Sequence, residues 1–136
     1  MCGDRIEENE FAEIVVKSVA PMFPDNPPMF LDRTPHGHHD TAVLEAQLRS
    51  VGFSIVTAET ITRESRAPSA LSGALRYCQG TPMRNEIEAH GPDRLAEATN
   101  VAAAAIASHF GLGPVSGKIR AHVITAVRNP FRPCGD

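Results

Sequence analysis

Chemistry-bearing residues crowd into one short stretch, His36-Gly37-His38-His39-Asp40, three imidazoles and a carboxylate within five positions after Pro35. Neutral imidazole nitrogens together with one carboxylate can ligate zinc or iron. The adjacent side chains of His38 and His39 do not converge easily on one ion, however, and no distant pair of ligands completes the set, so no metal is expected. An imidazole titrates at about pH 6.5 when unperturbed, which suits a general base, and His36 or His38 could serve as one. A plainer reading accounts for the same residues. Asp40 caps a helix, Gly37 turns the chain, and one or two of the histidines face solvent or a substrate pocket.

Three other segments invite a chemical reading. Gly111 to Gly117 (GLGPVSG) has the glycine density of a phosphate-cradling loop, but such loops follow a strand and open a helix. Here the order is reversed, and a helix C-cap followed by a turn explains the glycines. Cys78 stands near a helix end with Arg76 as its one basic neighbour and no evident catalytic histidine, which predicts a buried, inert thiol. Arg76, Arg84 and Glu86 fit helix-surface pairs, while Arg84 with Asn85 could also meet an anionic substrate.

The elements that must position these groups follow from periodicity. From Glu7 to Met22 the residues Phe11, Ile14, Val15, Val19 and Met22 recur three and four apart, predicting one apolar helix face that Pro21 and Pro24 end. Phe23 to His39 shows no sustained period and predicts an extended surface loop, long enough to suggest a functional role. Asp40 suits an N-cap, with Val43, Leu44, Leu48 and Val51 at helical spacing behind it and Gly52 as the stop. Phe53 to Ile61 is rich in β-branched residues and reads as a strand bounded by the charged run TRESR, a solvated edge. Residues 68–110 predict three helices, opening at Ser69, after Pro82 and from Pro92, the last closed by Gly111. Lys118 to Arg128 alternates as a second strand. The expected fold class is α+β, or partial α/β: helices packed on a small sheet containing an antiparallel strand pair. Two strands leave open edges that invite a second chain, which predicts a homodimer.

Composition narrows the function classes. The sequence of 136 residues carries a net charge of −3, which predicts one domain spanning 1–136 and no nucleic-acid partner. Of the apolar residues 18 are alanine, so the bulky core is modest and burial against another chain would help. Cys2, Cys78 and Cys134 form no CxxC pair and leave an odd thiol, pointing to a reducing compartment and a cytoplasmic protein. The longest apolar stretch, near Val101 to Ile106, is too short for a bilayer, and the acidic opening MCGDRIEENE is unlike a secretory signal.

Taken in order, the helix NEFAEIVVKSVAPMFP, the loop PPMFLDRTPHGHHD, the unit LEAQLRSVGFSIVTAETI and the tail from SRAPSALSGALRYCQGTPMRNEIEAHG to KIRAHVITAVR resemble the C-terminal half of class I S-adenosylmethionine-dependent methyltransferases that act on small molecules. The resemblance makes LRSVGFSIV the helix and penultimate strand, IRAHVITAVR the final antiparallel strand, and MCGD the end of the strand before the first helix. It makes residues 68–110 a helical cap over the substrate pocket. It implies substrate-lining roles for His36, Gly37, His38 and His39 on the loop and for Arg84 and Asn85 on the cap. Catalytic residues stay unassigned. The donor site of that family is built by earlier strands, a Gly-rich turn and an acidic residue for the ribose, and no position here matches them. The resemblance thus implies a truncated, Rossmann-like, methyltransferase-like protein that holds no S-adenosylmethionine on its own. The alternative is a stand-alone small-molecule-binding module or assembly subunit that works with a partner chain supplying the missing half.

Overall fold

Helices α1 (Glu10–Val19), α4 (Ala70–Cys78) and α6 (Arg94–Phe110) meet along small residues, and this contact builds the core. The computed structural model describes residues 2–128, so Cys134 lies outside the described residues. Ala70, Gly73 and Ala74 on α4 face Ala98, Ala102 and Ile106 on α6, all of them buried apart from glycine's absent side chain. A β-carbon at Gly73 would sit 3.5 Å from Ile106 Cδ1, an ordinary packing distance, so the end of the Ile106 side chain rests at this glycine. Alanine supplies much of the buried surface of both helices. Phe11, Val15 and Val19 of α1 fill the third side, with the Phe11 ring edge-on to Phe110 at 5.2 Å between centroids. Met83 and Ile87 of the short helix α5 (Met83–Glu88) close the end.

A three-stranded antiparallel sheet lies beside this cluster in the order β1 (Cys2–Gly3), β3 (Val115–Val127), β2 (Ile55–Ala67), giving an α+β architecture. The β2–β3 ladder runs unbroken from Ile55 opposite Val127 to Ala67 opposite Val115. Cys2 and Gly3 pair with His122 and Ala121 on the other side of β3. Gly117 sits inside β3, paired with Ser65, and not in a turn, and a β-carbon there would come within 3.3 Å of the Phe11 ring. No helix among the described residues is long and apolar enough to cross a membrane.

Several boundaries differ from the sequence expectations. The first helix is shorter than Glu7 to Met22, since single 3₁₀ turns at Ile6–Glu8 and Ala20–Met22 flank α1. Pro21 lacks the amide hydrogen that a continuing α-helix would use. The loop from Phe23 to His39 is not wholly extended: it carries α2 (Phe30–Arg33), whose leading amides at Met29 and Phe30 donate to the Glu86 carboxylate over 3.1 and 2.7 Å. Strand β2 does not stop at Ile61 but continues through the TRESR run to Ala67, because pairing to β3 holds a polar edge strand as well as an apolar one. A third strand, β1, joins the two expected. Helix α3 (Thr41–Ser50) forms as expected behind the Asp40 cap, but none of its residues is buried. Val43 stays 52 % and Val51 61 % exposed, since α3 meets β2 and lies apart from the core cluster.

Candidate small-molecule site

Asn9 is the joint on which the candidate site is built. It precedes α1 but does not cap it; its side chain turns back to the sheet. Its amide nitrogen donates to the carbonyls of Asp4 and Arg5 at 3.2 and 3.0 Å, and its oxygen accepts from the Arg120 amide at 3.0 Å. Two strand residues in β1 cannot satisfy the facing edge of β3, so Asn9 completes the ladder where that short strand ends.

The Asp4 carbonyl fixes His36 beside Asn9. Its Nδ1 lies 2.8 Å from the Asp4 carbonyl oxygen, and because a carbonyl only accepts, Nδ1 carries the hydrogen. In the neutral ring the lone pair is then left on Nε2, the arrangement a general base requires. Gly3 makes the approach possible. A β-carbon there would stand 2.5 Å from the Pro35 carbonyl oxygen and 2.9 Å from His36 Nδ1.

Beside this joint is a cavity of about 490 Å³, lined by Gly3, Asn9, Ile61, Arg63, Ile119, Arg120 and Ala121. Pairing register puts Gly3, Ile61, Arg63, Ile119 and Ala121 on one face of the sheet. Its floor is mostly apolar, with Arg63 as a cation at the side, a combination suited to an apolar molecule bearing an acidic group. His36 touches two of its walls, Gly3 and Asn9, and so stands directly behind it.

The opposite face carries a polar relay. The Asp4 carboxylate accepts from Arg120 and lies 3.1 Å from His122 Nε2, and His122 Nδ1 is 2.9 Å from the Thr60 hydroxyl. Burial alone would raise the Asp4 pKa, but hydrogen bonds from Arg120, the Arg5 amide and His122 outweigh it and hold the carboxyl below its ordinary value. Glu8 is likewise lowered, chiefly by its 2.6 Å bond from Lys118. A hydroxyl, an imidazole and a carboxylate in line can activate a nucleophile. This relay faces away from the cavity, however, and its members come from β2, β3 and the residue after β1, so its work is to tie the three strands together.

The other residues singled out in the sequence are dispersed. Gly37 and His38 are exposed and His39 is half-buried, while Asp40 accepts from the Ala42 and Val43 amides at 3.0 and 3.4 Å, as its cap role requires. Arg84 pairs with Glu88 along α5 at 2.6 Å, and Asn85 is exposed on the same helix. The structure thus brings His36 to the cavity wall and gives Arg84 a surface partner. No cluster of three or more His, Cys, Asp or Glu suited to a metal occurs among the described residues. Asp4, Asn9, Arg120 and His122 were not singled out in the sequence. The one available sign was His122, a polar residue amid the alternating apolar positions of KIRAHVITAVR.

The cavity presents Arg63, and the nearby Asp4 and Glu8 carboxylates are engaged by Arg120, His122 and Lys118. No protein-family profile matches the chain, and no curated protein matches its sequence.

Proposed function

We propose that the chain is a methyltransferase-like, substrate-side unit that holds a small molecule in the cavity between Ile61, Ile119 and Gly3 and does not transfer methyl groups by itself. Support comes first from the place of β3. The final strand lies between β1 and β2 and runs antiparallel to both, as the resemblance requires if Cys2–Gly3 ends the strand before α1 and β2 is the penultimate one. This is the Rossmann-like part of the reading. The outer edge of β1, which pairs with no described strand, is where further strands of a donor-binding half would add, from a partner chain or another segment. The cavity chemistry agrees with a substrate role: an apolar floor, one cation, and His36 behind the wall with a free Nε2.

Isothermal titration with S-adenosylhomocysteine, the product of methyl transfer, tests the donor side. No heat is expected up to millimolar ligand, which corresponds to binding weaker than about −4 kcal/mol. Saturation at micromolar concentration would overturn the reading. Saturable fluorescence of the apolar sulfonate anilinonaphthalene sulfonate, abolished in Ile119→Glu, is expected from the substrate side; its absence in the wild-type chain would remove that part.

A further inference from the structure

Strand β2 is bonded to β3 on one side along its thirteen residues, and on the other it pairs with no strand among the described residues. Two side-chain bonds reveal which backbone groups face outward. Arg63 Nη1 donates to the Thr62 carbonyl and Arg76 Nη1 to the Arg66 carbonyl, each over 3.0 Å. In an antiparallel ladder the N–H and C=O of one residue lie on the same side, so the even-numbered residues of β2 point away from β3. The far side of the sheet agrees: both backbone groups of Arg120 are used toward Asp4 and Asn9, which leaves the odd-numbered residues of β3 to meet the odd-numbered residues of β2.

The sequence of this edge is close to a palindrome in chemistry, Glu59-Thr60-Ile61-Thr62-Arg63. An antiparallel copy centred on Ile61 sets Ile61 against Ile61, Thr60 against Thr62 and Glu59 against Arg63, the last two pairs occurring twice by symmetry. Every outward-facing even position then meets an outward-facing even position, as the hydrogen bonds need. Moving the centre to Thr60 sets Glu59 against Ile61, and moving it to Thr62 sets Ile61 against Arg63. Centring on Glu59 or Arg63 brings like charges face to face. Among these registers the one at Ile61 alone joins the opposite charges, and neither Glu59 nor Arg63 has an ion-pair partner among the described residues.

We infer that β2 is the interface with a second copy of this chain, paired antiparallel across a two-fold axis at Ile61 to give a continuous six-stranded sheet. Glu59, Ile61 and Arg63 lie on the cavity face, so the pairing has a consequence for the site. Ile61 of the partner subunit extends the apolar floor, and Glu59 of the partner subunit fixes Arg63 at its side. Each cavity is completed by the other copy. The inference uses the strand edge alone and does not depend on the methyltransferase reading.

Sedimentation velocity of the full chain across a concentration series tests it. A reversible dimer is expected. Glu59→Arg and Arg63→Glu alone should each raise the dissociation constant about tenfold, and the double charge swap should restore it, which separates loss of pairing from loss of folding. Directly opposed non-hydrogen-bonded residues have Cα atoms about 4.5 Å apart, within disulfide reach, so oxidised Ile61→Cys should become a covalent dimer. Thr57→Cys, facing Ser65, and the wild-type chain should not. A monomer at every concentration, or a dimer indifferent to the charge reversals and uncrosslinked at Ile61→Cys, overturns the inference.

Discussion

His36 Nδ1 and the carbonyl oxygen of Asp4 lie 2.8 Å apart, and this one bond joins the histidine-rich loop to the strand end that also anchors Arg120 and His122. The histidine thus inherits its orientation from the sheet and not from its own loop. Three outcomes follow from the surroundings of this bond and from the buried core next to it.

Gly3→Ala should loosen the loop. The added methyl would meet the Pro35 carbonyl, a backbone atom that cannot swing aside, and the His36 ring. An overpacked contact of this kind costs about 1–3 kcal/mol. A lower urea midpoint together with a shifted His36 imidazole resonance is the expected result. An unchanged resonance would show that the loop does not rest on Gly3.

Acid should weaken the fold through Asp4. Its carboxyl binds protons less readily in the folded chain than in the unfolded one, so the unfolded state gains protons first as pH falls. The contribution is complete above about pH 5, and it is lost as pH drops below the ordinary value of 3.8 through the lower folded pKa. Glu8 acts in the same direction. Asp4→Asn imitates the protonated side chain. Urea midpoints of wild type and Asp4→Asn should therefore differ at pH 7 and converge near pH 2. A gap that stays constant with pH would mean that the Asp4 charge is not what the network uses.

Cys78 should resist alkylation until the core opens. Its side chain is fully buried between α4 and α6, and burial pushes the thiol up to about 11 against a smaller opposing effect of Thr99. At neutral pH almost no thiolate forms, and the thiolate is the reactive species. Peptide mapping after iodoacetamide should find Cys78 labelled at least about a hundredfold faster in urea than in buffer. Equal rates would contradict the burial.

How legible all this was in the sequence depends on how far each residue's partner lies along the chain. Asp40 was readable as a cap because its acceptors' donors, the amides of Ala42 and Val43, are two and three residues away. Ser69, which accepts from the Ser72 amide at 3.1 Å, was readable for the same reason. Helix α2 was not, since its leading amides are held by Glu86, more than fifty residues later. Within the candidate site His36 was visible as a residue type, but the direction of its lone pair was set by a carbonyl 32 residues earlier.

The sequence by itself determined the local stops and starts. Gly52 and Gly111 end helices at φ of 105° and 96°, a region where other residues are strained, and alternating residues made β3 a strand. Only the tertiary structure decided that β2 runs past Ile61 to Ala67, that Cys2–Gly3 adds a third strand, and that α3 leaves its apolar positions half in water. Caps and turns are settled by neighbours within a few residues, whose energies any short window contains. Strand pairing, the Asp4–His122–Thr60 relay and the cavity on the Ile61–Ile119 face each need residues 48 or more positions apart, and their stabilisation exists only once the chain has closed on itself.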